Sequence, residues 1–194
     1  MPVPRGGRRS ARGSGGPTLQ AESQSEATSV KITVICTGGT IDKDYSCDLG
    51  GYNFEVGEPA VKRVLDRLRS VNFQYEVHSV VRKDSLDMTP EDRQAIAQAC
   101  RECVDDRILV THGTDTMLET AAVLSAIGGK TIVMTGAMRP EKFADSDAQF
   151  NFGLAVGALN VLPPGVYVAM SGRVYPWNRC RKDRRTEMFV ESQG

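Results

Sequence analysis

Two short stretches of the sequence combine threonine hydroxyls with glycines, each directly after an apolar run. They are TGGT at 37–40 and HGTDT at 112–116, and the second also carries a carboxylate. A hydroxyl can attack a carbonyl carbon once a base removes its proton, and backbone amides of a turn can stabilise the oxyanion that forms. The stretches therefore offer hydroxyls, one carboxylate and turn backbone to a ligand, and Thr40 and Thr114 are both hydroxyl nucleophiles in principle.

Both stretches are predicted to follow a buried strand. Residues 108–110 are an apolar run typical of a parallel strand, and Gly113 permits a sharp turn. The Thr and Asp residues after it can cap a helix that begins at Met117. Residues 32–35 precede TGGT in the same way. Because ligands of open α/β sheets bind at the carboxyl ends of the strands, we expect the two turns to form one shared site.

Hydrophobic periodicity elsewhere predicts alternating strands and helices. The predicted strands are 30–36, 73–82, 108–110, 131–135 and 166–170, with a short edge hairpin at 173–177. The predicted helices are 59–68, 90–103, 117–127 and 150–162, the second with a capping-box-like start at Thr89. This alternation predicts a three-layer, doubly wound α/β fold with a mostly parallel sheet, as in Rossmann-like and flavodoxin-like proteins.

Length and charge bound the domain organisation. The 194 residues suit one domain, and 24 basic residues balance 24 acidic ones. Residues 1–29 are rich in Gly, Ser, Arg and Pro and are predicted to be a disordered tail, with a mitochondrial transit peptide as the alternative. The α/β domain is expected at 30–179, and 180–194 is expected to be a charged tail. This charge distribution gives no reason to expect nucleic-acid binding.

Cysteine content and hydropathy favour a cytoplasmic protein with no membrane span and no cofactor. No apolar run reaches membrane-spanning length, and five cysteines fit reduced thiols better than a disulfide framework. Cys100 and Cys103 form a C-x-x-C pair at the end of a predicted helix and on its buried face, so they are predicted to pack in the core. The scattered cysteines and two histidines do not suggest a metal site.

Four segments of the sequence resemble the amino-terminal domain of the bacterial-type L-asparaginase/glutaminase family. TGGTI at 37–41 and HGTDTM at 112–117 are similar to that family's two signature turns and occur in the same order. KDSLDMTPED at 83–92 and the segment of Lys130 with VMTGAMRP at 133–140 resemble other family segments. The resemblance covers most of the predicted domain and implies hydrolysis of a side-chain amide to an acid and ammonia.

The resemblance also implies catalytic roles. Thr40 would be the nucleophile, and Thr114, Asp115 and Lys130 would form a second catalytic group. A desolvated lysine can be tuned toward neutrality and act as a base, with Asp115 holding it in place. No Ser-His-Asp set is apparent, and we expect His112 to be a hydrogen-bonding residue at a strand end.

For the substrate, the resemblance implies a small amino-acid amide held by its α-substituents. Ser85 and the backbone around Gly39 and Gly113 would hold the α-carboxylate. Asp115, beside Thr114 in the same pocket, would meet the α-ammonium. Asparagine, glutamine and other small amides all remain open as substrates.

Three features depart from the family pattern. Phe54 stands where the family places a catalytic tyrosine, so Tyr52 is the candidate for that hydroxyl; the loop 42–57 that carries both is either a lid or a surface hairpin. Leu86 stands where well-known members carry an amide side chain. The sequence also resembles short, single-domain members, so we expect a homo-oligomer in which a neighbouring subunit covers the pocket.

The leading hypothesis is therefore an amidohydrolase, and the alternative is a non-catalytic module that binds an amino acid or a partner. The presence of Thr40, Thr114, Asp115 and Lys130 together favours the enzyme, because a binding module would not need them as a set. Nucleotide binding is disfavoured, since TGGT lacks the G-x-G-x-x-G spacing and a P-loop lysine.

Overall fold

The computed structural model describes residues 29–46 and 53–192. In chain order the strands are β1 Lys31–Gly38, β2 Lys43–Ser46, β3 Asn53–Val56, β4 Gln74–Lys83, β5 Arg107–Thr111, β6 Thr131–Thr135, β7 Gly165–Met170, β8 Arg173–Pro176, β9 Cys180–Lys182 and β10 Phe189–Glu191. The helices are α1 Ala60–Asp66, α2 Pro90–Glu102, α3 Met117–Leu124 and α4 Ala148–Val161. The predicted elements are thus present, with ends that differ by a few residues.

The main sheet has six strands in the order β4-β1-β5-β6-β7-β8. The first five are parallel, and β8 runs antiparallel to β7 at one edge. The chain places β4 on one side of β1 and β5 on the other, which is the flavodoxin-like strand order. The strand order therefore switches direction between β1 and β5, where the predicted site turns begin.

Helices cover both faces of this sheet, which confirms the predicted three-layer fold. Side chains of α1 and α4 pack on one face, where Val34 and Leu109 are buried. Those of α2 and α3 pack on the other face around Ile108 and Val110. The second helix begins with the predicted capping box, in which the Thr89 hydroxyl accepts from the Asp92 amide. Within the described ranges no helix is long and apolar enough to span a membrane.

The segment after Arg179 differs from the predicted charged tail. Strands β9 and β10 form an antiparallel hairpin, and Cys180 and Phe189 are buried in the core beside α3. The Tyr175 hydroxyl donates to the Phe189 carbonyl (3.3 Å) and ties the hairpin to β8. Only one buried residue per short strand marks this hairpin, so its sequence has no readable periodicity. Residues 1–28, which carry the predicted disordered tail, lie outside the described residues.

Candidate active site

Glycines bring the turns after β1 and β5 into direct contact. Gly39 has a positive φ of 82°, and a Cβ there would lie 2.4 Å from the backbone of Gly113. A Cβ on Gly113 would in turn lie 2.6 Å from the Ser85 Oγ. Any larger residue at either glycine would push the turns apart. The ends of β1, β4 and β5 therefore meet as predicted, and the turns that carry Thr40 and Thr114 are neighbours.

Thr40 opens a single 3₁₀ turn that is held by backbone hydrogen bonds from several elements. The Gly39 amide donates to the Lys83 carbonyl (2.9 Å), and the Asp42 amide donates back to the Gly39 carbonyl (3.1 Å). The Glu141 amide reaches the Ile41 carbonyl from the loop after β6 (3.1 Å). Half-buried Thr40 is thus presented on a fixed backbone at the carboxyl end of β1.

Asp42 closes this turn with a buried carboxylate. Its side chain is 2% exposed, and Oδ1 accepts from the Ala60 amide at the start of α1 (2.7 Å). Burial raises the pKa of Asp42 to about 6, against the opposing influence of the Ala60 amide and Arg63. The carboxylate is therefore mostly ionised at neutral pH although burial disfavours the charge.

A lysine from the C-terminal hairpin completes the turn after β5. Lys182 Nζ donates to the Thr114 Oγ1 (2.9 Å) and to the Asp115 Oδ1 (2.7 Å). A second carboxylate, that of Glu187, lies 2.9 Å from the same Nζ, and the Lys182 side chain is only 12% exposed. Burial acts to lower the pKa of Lys182, but the hydrogen bonds that Lys182 donates to Asp115 and Glu187 prevail and raise it above its ordinary value. Lys182 is therefore an ammonium ion in this arrangement.

Lys130 does not take part in this group, so its predicted position beside Thr114 and Asp115 was wrong. Its Nζ donates to the carbonyls of Cys103 (2.6 Å) and Asp105 (2.9 Å), before the amino end of β5. Lys130 precedes β6, which runs parallel to β5, so it lies at the opposite edge of the sheet from Thr114. A five-residue strand spans roughly 16 Å, which is more than a lysine side chain bridges.

Sequence reasoning missed Lys182. No local pattern distinguishes it, because it lies in a basic segment, RCRKDRR, that has the composition of a solvated tail. The only signals were its apolar neighbours Cys180 and Phe189, which are too few to indicate a strand. The role that the resemblance gave to a lysine beside Thr114 and Asp115 is thus matched geometrically by a different lysine.

Ser85 contributes an unpartnered hydroxyl to the same edge of the sheet. The residue is 1% exposed, and its Oγ is buried without a hydrogen-bond partner. Its carbonyl accepts from the Thr116 Oγ1 (2.7 Å), which ties the end of β4 to the turn after β5. Buried hydroxyls nearly always have a partner, so the unpartnered Ser85 hydroxyl is a candidate ligand-binding group.

His112 is a structural residue, as expected. It is fully buried, with Nδ1 2.7 Å from the Gly113 carbonyl and Nε2 2.8 Å from the Thr120 hydroxyl. The carbonyl can only accept, so Nδ1 carries the proton and Nε2 accepts from Thr120. Burial lowers the pKa of His112 to about 4, which keeps the ring neutral and fixes the backbone of the turn.

The hairpin β2–β3 forms the outer border of the Thr40 turn. Phe54 in β3 is 40% exposed, with Lys43 Nζ 5.6 Å from its ring centroid and the Phe143 ring 6.3 Å away. Tyr52 lies outside the described residues. The described residues of the loop 42–57 form a surface hairpin, which was one of the two predicted alternatives. The catalytic role of Tyr52 and the function of the loop as a lid stay predictions.

A surface cavity of about 590 Å³ opens beside Lys182 and Asp115. Its wall also includes Leu86, Thr116, Leu118, Glu119, Arg184 and Glu187. The cavity thus offers carboxylates and cations close together, which suits a small ligand that carries both charges. Within the described ranges, no cluster of three or more His, Cys, Asp or Glu residues is arranged to hold a metal ion.

Comparison with known proteins assigns the chain to a protein family. The family model "Asparaginase, N-terminal" matches residues 31–190. The chain belongs to the asparaginase family. It is 30% identical over 158 residues to the L-asparaginase of Thermococcus kodakarensis, covering 79% of this chain and 48% of that protein. The solved structure of a thermostable L-asparaginase from the same organism superposes with a TM-score of 0.73 at 28% identity, covering 84% of this chain and 51% of that one.

A second group of relatives carries a different name. The chain is 31% identical over 150 residues to a glutamyl-tRNA(Gln) amidotransferase subunit of Methanococcus vannielii, covering 74% of this chain and 34% of that protein. The chain spans about half the length of the L-asparaginase it matches, and about a third of the length of the amidotransferase protein.

Proposed function

We propose that this chain hydrolyses a small side-chain amide, in the manner of an L-asparaginase, to the corresponding acid and ammonia. The observation that carries the proposal is the Lys182 ammonium bonded to both Thr114 and Asp115 at the strand-order switch point. Hydroxyl, lysine and carboxylate in mutual contact, beside a second hydroxyl on a fixed turn, suit acyl transfer better than they suit simple binding.

In the first half of the reaction, the Thr40 hydroxyl attacks the amide carbon and passes its proton to the Thr114–Lys182 pair, which accepts it when Lys182 is neutral. The C–N bond then breaks, the nitrogen takes up a proton and leaves as ammonia, and the acyl group stays on the Thr40 oxygen. Water attacks this ester in the second half and releases the acid and the free hydroxyl. The Gly39 amide already donates to the Lys83 carbonyl, so we assign the oxyanion in both halves to backbone amides of the turn around Gly113.

The charge of Lys182 gives Thr114 a definite part in this sequence. Because the ammonium donates to the Thr114 oxygen, the hydroxyl proton of Thr114 is free to be donated elsewhere. Once the pair has taken up the proton of Thr40, Thr114 can therefore act as the proton donor to the leaving nitrogen. Lys182 has to lose its own proton before the pair can act as a base toward water or Thr40, so turnover should rise with pH.

We further propose an α-amino acid amide as substrate, with asparagine the first candidate. The unpartnered Ser85 hydroxyl and the amides near Gly113 suit an α-carboxylate. Asp115 is 50% exposed beside the cavity and suits an α-ammonium. Tyr52 remains the proposed donor of the loop hydroxyl.

The direct test is ammonia release by the purified protein from a panel of asparagine, glutamine and amides that lack the α-amino or α-carboxylate group. We expect the α-amino acid amides to be preferred, and we expect Thr40→Ala to remove the activity and any covalent acyl adduct. Release of ammonia by Thr40→Ala at the wild-type rate would disprove the role of Thr40 as the nucleophile. Absence of activity on the whole panel would favour the binding-module alternative.

A second candidate function is the amidase part of an amidotransferase, supported by the likeness to a protein of that name. In that case the chain would work with a partner protein, and ammonia release in isolation would be slow. Copurification of a second polypeptide that raises the rate would distinguish this function from a self-sufficient asparaginase.

We also propose that the chain forms a homo-oligomer, with α4 as part of the contact. This helix carries no charged residue, its exposed face includes Phe150 (62% exposed) and Val161 (78% exposed), and the space over Gly153 and Gly157 is open. An uncharged face can meet a second copy without like-charge repulsion. A cytoplasmic location is proposed as well, because Cys36, Cys100, Cys103 and Cys180 are all free thiols.

A further inference from the structure

Glu187 lies on the turn between β9 and β10 and contacts the site lysine, which also contacts the turn after β5. Its carboxylate is 2.9 Å from the Lys182 Nζ, which also bonds to Thr114 and Asp115. Three groups therefore surround one ammonium, and two of them are carboxylates. An ordinary surface ion pair contributes little. The Lys182 side chain is only 12% exposed, so water screens its charge less than that of a surface lysine, while the Asp115 (50%) and Glu187 (61%) side chains are open to solvent on their outer sides.

The backbone of the turn indicates that the Glu187 contact is built into the hairpin. Glu187 has a φ of 59°, a left-handed conformation that residues other than glycine adopt at a cost. The turn is closed by the Asp183 amide, which donates to the Met188 carbonyl (2.8 Å), and by the Arg185 amide, which donates to the Asp183 carboxylate (2.9 Å). This conformation directs the Glu187 carboxylate back onto Lys182.

We propose that Glu187 is a positioning residue that acts through Lys182, holding its ammonium against Thr114 and Asp115 and keeping it protonated. The charged groups around Lys182 are Asp115 on the turn after β5 and Glu187 on the hairpin, with Glu119 of α3 and Arg184 on the wall of the same cavity. Removal of the Glu187 charge leaves one carboxylate in direct contact, which favours the neutral lysine at a lower pH. The expected change in the pH dependence of turnover rests on the proposed amide hydrolysis. The expected change in the protonation of Lys182 does not depend on that function.

The test follows the Lys182 side chain by NMR in the full chain labelled with ¹³C at the lysine ε-carbons. The Lys182→Met variant identifies the Lys182 signal. Glu187→Gln keeps the size of the side chain without its charge, and Glu187→Gly removes the carboxylate and also relieves the left-handed backbone. Glu191→Gln, at an exposed carboxylate on β10, is the matched control.

We expect Lys182 to titrate at a lower pH in both Glu187 variants and at the wild-type pH in the control. The rise of amidase activity with pH should move in the same direction, so the rate at pH 7 relative to the alkaline plateau should increase severalfold. An unchanged Lys182 titration in folded Glu187→Gln and Glu187→Gly would overturn the proposal. If the wild type hydrolyses no amide, the proposed function fails, and the NMR titration still decides the role of Glu187.

Discussion

The amino ends and the carboxyl ends of the parallel strands, called here the amino edge and the carboxyl edge, each hold a lysine at the centre of a polar cluster. The two clusters differ in which polar groups they leave without a hydrogen-bond partner. At the amino edge, Lys130 donates to two backbone carbonyls, and Thr33 donates to the Asp105 carboxylate (2.7 Å). At the carboxyl edge, Lys182 bonds to a hydroxyl and two carboxylates.

The carboxyl edge also holds groups that work against stability. The Ser85 hydroxyl has no partner, and the Asp42 carboxylate is ionised while buried. Such arrangements persist in proteins mainly where function requires them. The amino edge is thus arranged for stability, and the carboxyl edge gives up stability for reactive groups. Paired substitutions at the two edges can test this difference.

The largest expected effect separates the two lysines. Lys182→Met should lower turnover by about 1000-fold, within the usual range for loss of a proton-transfer group, and leave the fold intact because methionine fills most of the stem volume. Lys130→Met should keep the activity but lower the free energy of unfolding by about 2 kcal/mol, since two carbonyls lose a charged donor. Ammonia release and urea unfolding measure both. Loss of activity in a folded Lys130→Met protein would invalidate the comparison.

Two glycines with positive φ give the next largest contrast. Gly39→Ala adds a Cβ 2.4 Å from Gly113 and should lower the free energy of unfolding by more than about 3 kcal/mol and abolish activity. Gly129 precedes β6 at the other edge, has a φ of 75°, and has open space where a Cβ would lie. Gly129→Ala should therefore cost only about 1 kcal/mol, the penalty of the left-handed backbone, with activity retained. Equal losses of stability on urea unfolding would show that the Gly39–Gly113 contact is not tight.

Replacement of Asp42 should stabilise the protein. The pKa of its carboxyl is about 6 in the folded chain against 3.8 when unperturbed, so the folded state binds the proton more tightly. Burial of the ionised carboxylate therefore lowers the free energy of unfolding. This loss is absent below pH 3.8, grows as the pH rises toward 6 and is complete above pH 6. At about 1.4 kcal/mol per pKa unit, it amounts to roughly 2–3 kcal/mol. Asp42→Asn should raise stability by about 2 kcal/mol at pH 8 and leave it unchanged near pH 4.

Asp105→Asn at the amino edge is the control for Asp42. Its carboxylate accepts from Thr33 and lies 3.6 Å from the Lys31 ammonium, so its neutralisation should lower stability at pH 8. Thermal unfolding at both pH values distinguishes the two sites. If Asp42→Asn were less stable than the wild type at pH 8, the contacts of the ionised carboxylate would contribute more stability than its burial costs.

The smallest expected effect concerns the hydroxyls of the two edges. Ser85→Ala should raise KM for the α-amino acid amide about 10-fold, as for loss of one hydrogen bond to a charged group, with stability within about 0.5 kcal/mol of wild type. Thr33→Ala should leave KM unchanged and lower the free energy of unfolding by about 1–2 kcal/mol, because its hydroxyl already bonds to Asp105. A wild-type KM for Ser85→Ala would remove Ser85 from the substrate site.

The sequence by itself determined the sheet, its two site turns and three polar residues at the carboxyl ends of its strands. Apolar runs followed by Gly and Thr mark strand ends locally, and parallel strands bring their carboxyl ends to one edge, so Thr40, Thr114 and Ser85 were predictable as neighbours. The identity of the lysine was not, because Lys182 lies in a basic segment that has the composition of a solvated tail.

Only the tertiary structure decided between the two lysines. Parallel strands of about 16 Å separate Lys130 from the site, while burial of Cys180 and Phe189 folds the C-terminal hairpin against α3 and delivers Lys182 to Asp115. Two apolar contacts are enough to dock a hairpin on an existing core but too few to give a periodic signal in the sequence. The long-range packing of the hairpin therefore places Lys182 at the site, and the local sequence of the hairpin does not predict this position.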